Sequence, residues 1–316
     1  MPDIEPQASI IIPNFNGHRY IKSLCDCLTK QKIKSPRFEI IIVDNGSTDN
    51  SLPLFEQWQE RLPNLRIFEY KEKQSSYAAR NYGVTKAQTN LFIFTDVDCL
   101  PKPDWLLHIL KQNDSYKGKV LISGKVLLQP KQADWNIWEW YDKNTALDQE
   151  KYSKKNFGAT ANLSVPRQIF QVVRGFSEVV SGGDKDFCQR ATSAGFKFHY
   201  IESIIVKHPA RSTQNEIISK QKRLALGHAQ AAYKNNTLRK NIKFIVKNIY
   251  NCFFQKKQFQ LVVKAWKMTE KSFSWKTKFS IITYYAGFIR RYHLVKNLSH
   301  FLICGQKTTN KHLHMN

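Results

Sequence analysis

Phe38-Glu-Ile-Ile-Ile-Val43 runs directly into Asp44-Asn-Gly-Ser-Thr-Asp49, an apolar run emptying into a polar loop. The first six residues are mostly apolar and β-branched, which suits a strand buried on both faces. The loop behind them is built of turn residues, and Thr48 or Asp49 can cap a helix over residues 50–61. The same pattern recurs on either side. Ser9-Ile-Ile-Ile-Pro13 is a short strand closed by proline, followed by Tyr20, Ile21, Leu24 and Leu28 at helical spacing. A strand over 65–70, a helix over 75–87 and a strand over 91–95 continue the series. Strands alternating with helices predict an α/β fold on a mainly parallel, Rossmann-like sheet. Ligands of such sheets bind beyond the carboxyl ends of the strands, where Asn14, Asp44 and Asp96 all stand.

Composition narrows the class. Of 316 residues, 42% are hydrophobic and 13% aromatic, enough for a sizeable core and too much for a disordered chain. Six scattered cysteines without a Cys-x-x-Cys pair predict reduced thiols and argue against a zinc knuckle or a thioredoxin-like site. The first residues lack a basic leader, and no apolar run reaches the roughly 18–20 residues needed to span a bilayer. The expectation is a cytoplasmic protein, peripheral on the cytoplasmic face of the membrane. The net charge of +24 is unevenly spread: from Arg211 onward there are 21 Lys and Arg against only Glu216 and Glu270. Such a block marks a surface for an acidic partner.

A second segment, residues 119–206, holds expected strands at 120–128 and 159–165, a turn at Arg174-Gly-Phe-Ser177 and the acidic element Gly182-Gly-Asp-Lys-Asp-Phe187. Asp96-Val97-Asp98 closes a strand. On extended backbone residues i and i+2 point the same way, so both carboxylates could meet one Mg²⁺ or Mn²⁺; a solvated turn before Pro101 is the plain alternative. Asp184 and Asp186 open a helix, where they could cap it or take a proton from a hydroxyl. Arg80 could clamp a diphosphate or lie on the surface. His208 could complete a metal shell or be a strand-end surface residue. Asn162, inside a strand, fits a structural hydrogen bond as well as a ligand contact.

The order of the pieces is more specific than any one of them. Ile11-Ile-Pro-Asn-Phe-Asn16, Ile42-Val-Asp-Asn-Gly-Ser-Thr-Asp49, Ala79-Arg-Asn-Tyr-Gly83, Phe94-Thr-Asp-Val-Asp98 and Gly182-Gly-Asp-Lys-Asp-Phe-Cys-Gln-Arg190 together resemble family 2 glycosyltransferases over residues 8–228. The resemblance implies a GT-A fold, a nucleotide-sugar donor and inverting transfer with a divalent metal, Mn²⁺ or Mg²⁺. It implies nucleotide-sugar contacts at Pro13, Asn16, Asp44, Asn45, Arg80, Asp96 and Asn162. It further implies metal ligands at Asp98, Asp96 and His208, and catalytic carboxylates at Asp184 and Asp186, with Asp184 the base and Asp186 in support. Two departures stand out. The family's usual Asp-Asp reads Asp44-Asn45 here, and its usual Glu-Asp reads Gly183-Asp184. The Gln-x-x-Arg-Trp element of processive members survives only as a partial echo, Gln221-Lys-Arg223.

These features divide the chain into a catalytic domain over 1–228 and a basic, aromatic-rich helical region over 229–316. In the latter, Ile242, Ile245, Val246, Ile249 and Phe253 form one helical stripe, with Lys240, Lys243 and Lys247 mostly off it. Two readings are open: an anionic membrane surface receives the stripe, which suits a lipid-linked or glycan acceptor, or the helices simply pack on the core. A nucleic-acid partner is disfavoured because no recognised motif accompanies the basic residues. A nucleotidyltransferase is the alternative on a related fold, but Asn14-Phe-Asn-Gly17 is not the Gly-rich basic loop that holds a triphosphate.

Overall fold

The computed structural model describes residues 6–34 and 37–304, the side chains of residues 235 and 253 excepted. In chain order the elements are β1 (Ala8–Asn14), α1 (His18–Thr29), β2 (Phe38–Asp44), α2 (Ser51–Trp58), β3 (Leu65–Glu69), α3 (Ser76–Lys86), β4 (Leu91–Phe94), β5 (Leu100–Pro101), α4 (Trp105–Ser115) and β6 (Val120–Gln129). Then come α5 (Ile137–Thr145), α6 (Gln149–Ser153), β7 (Leu163–Pro166), α7 (Arg167–Val172), α8 (Gly183–Ser193), β8 (Lys197–Pro209), α9 (Gln214–Asn235), α10 (Leu238–Phe253), α11 (Lys256–Trp266) and α12 (Phe273–Cys304). The chain forms two compact units: one holds the chain up to Gln129 with Leu147–Glu178 and Gly183–Pro209, the other Pro130–Ala146, Val179–Gly182 and the chain from Ala210.

The first unit is an eight-stranded, mostly parallel sheet in the order β3-β2-β1-β4-β7-β6-β8-β5. β1 and β2 are buried at every residue, as two-faced burial requires of their Ile-rich sequences. Ile10, Ile12, Ile40, Ile42, Leu24 and Trp105 are core members, and fully burying such side chains stabilises by about 1.5–3 kcal/mol each. α3 lies close over the strands at Gly83, where a Cβ would stand 2.7 Å from Ile11. β4 and β7 run antiparallel, as do β7 and β6, whereas β6 and β8 are parallel. The carboxyl ends of β1, β2, β4 and β8 therefore share one edge.

Three local expectations are corrected. Residues 160–162 form a 3-10 turn ahead of β7, so Asn162 is not inside a strand. Helix α2 spans Ser51–Trp58 rather than residues 50–61, although Asp49, one of its two expected caps, does accept from the Ser51 amide at 3.1 Å. The Asp96–Asp98 segment is a turn rather than extended chain, closed by the Cys99 amide donating to the Asp96 carbonyl at 3.0 Å.

The second unit is helical. α9 and α12 pack along each other, and α10 and α11 pack on α12. Trp140, Ile217, Ala265, Phe279 and Ala286 make one core cluster; Ala229, Ala232, Leu298 and Phe301 make another. Asp142 is fully buried and paired with Lys220 at 2.6 Å and Arg211 at 3.2 Å. No helix among the described residues is long and apolar enough to cross a membrane.

Candidate active site

At the carboxyl edge, β1 and β2 end on side chains that lace their loops together. Asn14 donates to Asp44 Oδ1 at 2.7 Å and to Ser47 Oγ at 3.0 Å. The Asp44 carboxylate also accepts from the Ser47 amide at 2.9 Å, so a fully buried carboxylate is satisfied by its own loop. Asn16, at φ 50°, receives the Thr48 amide on Oδ1 at 2.8 Å. Pro13 is buried in β1 opposite Val43. Asn45 donates to the carbonyls of Tyr70 at 2.7 Å and Lys73 at 2.9 Å, and accepts from the Ser75 amide at 2.7 Å. A carboxylate at that position has no proton to give those carbonyls, which accounts physically for Asn in place of the second acid.

The turn after β4 carries the acidic pair. β5 continues from it and pairs antiparallel with the end of β8, with Leu100 opposite Lys207, so Asp98 arrives beside His208. Asp98 Oδ2 lies 3.4 Å from His208 Nε2. Ligand atoms of Asp96, Asp98, Cys99 and His208 all lie within 4.8 Å of one another. His208 Nδ1 is 2.7 Å from the Pro209 carbonyl. The carbonyl can only accept, so Nδ1 carries a proton and Nε2 is left to face Asp98. Ligating histidines are held this way, by donation from the other ring nitrogen. Two carboxylates and an imidazole suit a hard or borderline divalent ion such as Mg²⁺ or Mn²⁺. Cys99 fits it poorly. It is fully buried, its thiol lies 3.6 Å from the Ala161 carbonyl, and burial, with Asp96 and Asp98 beside it, pushes the thiol well above its usual range.

Arg80 is buried on α3 and forms an ion pair with Asp96. Its guanidinium carbon lies 5.6 Å from the centre of the Tyr77 ring. The Tyr77 hydroxyl donates to Asp184 Oδ1 at 3.3 Å. Asp184, in the first turn of α8, is partly enclosed, and burial holds its carboxyl above the usual aspartate range. The Lys185 amide, Arg80 and Tyr77 pull it back down, and the charge of Asp96 raises it again. The effect of the Asp96 charge on Asp184 links the two ends of the site electrostatically. Two buried polar atoms here lack a partner, Asn14 Oδ1 and Arg80 Nε. Such orphans are rare in a finished core.

Asp186 turns elsewhere. It accepts from Ser177 Oγ at 2.6 Å and pairs with Arg190 at 2.9 Å, and Arg190 donates to the Gly175 carbonyl at 2.8 Å. That lattice steadies the loop ahead of α8. Asn162 is also spent inside the fold: Oδ1 takes Trp105 Nε1 at 2.9 Å, and Nδ2 donates to the Lys125 and Ile204 carbonyls at 3.0 Å each. The ligand-contact reading of Asn162 gives way to the structural one. Arg80 and His208, 3% and 7% exposed, are not surface residues.

Three contributors, Tyr77, Asn81 and Ser47, carry no functional expectation from sequence, and Asn14 adds a bond that its strand-end position did not show. Tyr77 lies one turn before Arg80 on α3 and before Asn81 at i+4, so its ring is flanked by both. Asn81 exchanges a pair of bonds, both 2.9 Å, with the backbone of Phe176. Ser47 and Asn14 close the β1–β2 lacing. Gly183 also has a cause: a Cβ there would lie 2.8 Å from the Ser177 carbonyl and 2.9 Å from the Tyr77 ring.

Comparison with known proteins agrees with this layout. Residues 9–174 match the family described as Glycosyl transferase family 2. The chain is 33% identical over 227 residues to glycosyltransferase AglE of Haloferax volcanii, covering 71% of this chain and 74% of the relative. It is 31% identical over 231 residues to a dolichyl N-acetyl-alpha-D-glucosaminyl phosphate 3-beta-D-2,3-diacetamido-2,3-dideoxy-beta-D-glucuronosyltransferase of Methanococcus voltae, covering 66% and 69%. In fold it resembles a mannosyltransferase from Pyrobaculum calidifontis solved with GDP-Man and Mn²⁺, at TM-score 0.62 and 17% identity over 96% of this chain and 88% of that one. It also resembles residues 1–349 of S. aureus TarS with UDP-GlcNAc, at TM-score 0.53 and 15% identity over 94% and 91%. A mixed eight-stranded sheet of GT-A type, the acidic edge and the family match lead to one assignment: the chain is a member of glycosyltransferase family 2.

Proposed function

We propose that the protein is an inverting, metal-assisted glycosyltransferase that moves a sugar from a nucleoside-diphosphate donor, a UDP-sugar, to a hydroxyl of a glycan or lipid-linked acceptor. The observation that carries the reading is the continuous chain His208–Asp98, Asp96–Arg80, Tyr77–Asp184, which joins a cation-binding end to a carboxyl group with a raised pKa.

Asp96, Asp98 and His208 would hold the divalent ion, Mn²⁺ or Mg²⁺. Bound there, the ion supplies charge neutralisation for the departing diphosphate. Arg80 is in place to add a fixed positive charge on the same side. Asp44, Asn45, Asn16 and Pro13 shape the loops on which the nucleotide would sit. Asp184 accepts the proton of the acceptor hydroxyl as that oxygen attacks the anomeric carbon from the face opposite the diphosphate. The carbon–oxygen bond to the acceptor forms, the bond to the diphosphate breaks, and the anomeric configuration inverts. A carboxyl raised by burial is the better base near neutrality. Asp186 supports Asp184 by fixing the preceding loop through Ser177 and Arg190.

A screen of UDP- and GDP-sugars for slow hydrolysis with Mn²⁺ tests the reading. Turnover of one sugar donor that is lost in Asp98→Ala supports it; turnover of none, or turnover indifferent to metal, counts against it.

A further inference from the structure

α10 presents three separate faces. Asn241 is buried, and Phe244 and Ile245 pack against the cluster of Ala229, Ala232, Leu298 and Phe301. Next around the helix come Leu238, Ile242, Val246, Ile249 and Tyr250, all exposed, Val246 at 60%. Beyond them stand Arg239, Lys240, Lys243 and Lys247, also exposed, and the helix carries no acid at all. The sequence stripe is thus split: Ile245 turns inward, and Ile242, Val246 and Ile249 face outward. The exposed surface continues past the helix end, where Phe254 stacks on Tyr250 at 4.6 Å.

Water is a poor environment for five neighbouring apolar side chains, and scattered single hydrophobes do not line up this way. We infer that this face of α10 is a docking surface for an anionic lipid bilayer. The aliphatic and aromatic groups enter the boundary between headgroups and acyl chains, and the basic row meets lipid phosphates. Charge complementarity selects this occupant. A second copy would set the same unbalanced cation row against itself. A nucleic acid would satisfy the lysines but leave Leu238, Ile242 and Val246 with no partner, since strand binding uses aromatic stacking rather than aliphatic stripes. The inference is independent of the transfer chemistry proposed above.

The test is co-sedimentation of the full chain with vesicles of phosphatidylglycerol and phosphatidylcholine, against phosphatidylcholine alone, at about 0.15 M salt. The wild type sediments with the anionic vesicles only, and more salt weakens binding. Ile242→Ser with Val246→Ser and Ile249→Ser, all at exposed positions, binds at least about tenfold more weakly while keeping its melting temperature. Lys240→Glu with Lys243→Glu and Lys247→Glu abolishes the preference for anionic lipid. Three results overturn the inference: no sedimentation of the wild type, undiminished binding by the serine variant, or an oligomer that the serine variant disperses. Binding to single-stranded DNA that is tighter than to vesicles and unchanged by the serines overturns it as well.

Discussion

The Tyr77 hydroxyl donates to Asp184 Oδ1 across 3.3 Å, and the same ring lies beside the Arg80 guanidinium that pairs with Asp96. One side chain thus touches both ends of the site. The hydroxyl favours the charged form of Asp184, whereas burial opposes it. Tyr77→Phe should therefore raise the Asp184 pKa further. The acidic limb of the pH–rate profile moves to higher pH by about 0.5–1 unit, the equivalent of one ordinary hydrogen bond. An unmoved limb with unchanged rates would remove Tyr77 from the site.

The raised pKa also has a sign for stability. Folded Asp184 holds its proton at pH values where the unfolded chain has lost it, so stability is fullest below the unfolded pKa and falls as pH rises through the folded one. Above the unfolded pKa this buried carboxyl therefore costs stability. Asp184→Asn should raise the melting temperature at pH 7, by about 2–4 °C for each kcal/mol relieved, with the gain shrinking toward acid pH. Scanning calorimetry at pH 7 and pH 4 reads the difference. A lower melting temperature at pH 7 would contradict the burial argument.

Asn45→Asp restores the acid that the resemblance expects, yet here it removes the two N–H bonds to Tyr70 and Lys73. Stability should fall by about 1–3 kcal/mol, the cost of leaving such groups unsatisfied. Urea unfolding measures it, and a neutral result would mean that the loop rearranges freely.

In the helical unit, Asp142→Ala strips the buried partner from Lys220 and Arg211. Breaking a buried ion pair on one side costs about 3–5 kcal/mol. Burial already depresses Lys220 to about 8, so the variant should unfold earlier. A loss below 1 kcal/mol in urea would show that water reaches the pair.

Much of the catalytic half was legible because parallel strands buried on both faces write themselves as apolar runs, as at residues 8–14 and 38–44. The acidic pairs were visible for a related reason: they end or follow those runs. What stayed hidden depends on long-range geometry. Asp98 meets His208 only because β5 pairs with the end of β8 over a two-residue register. The internal use of Asn162 depends on Trp105 and on the Lys125 and Ile204 carbonyls, which are distant in sequence. The supporting role of Asp186 takes its form from Ser177 and Arg190, contacts that spacing alone does not show. Gly183 gives no hint in one dimension that an aromatic ring occupies the space of its missing side chain.

If one site has a cation end and a proton-accepting end, as proposed, paired calorimetry and turnover on two variants separate them. Asp98→Ala should lose Mn²⁺-dependent nucleotide binding. Asp184→Asn should bind the nucleotide-sugar within about threefold of wild type yet transfer roughly 10²–10⁴-fold more slowly. Transfer by Asp184→Asn at the wild-type rate, or nucleotide binding by Asp98→Ala that still responds to Mn²⁺ as the wild type does, would contradict the account.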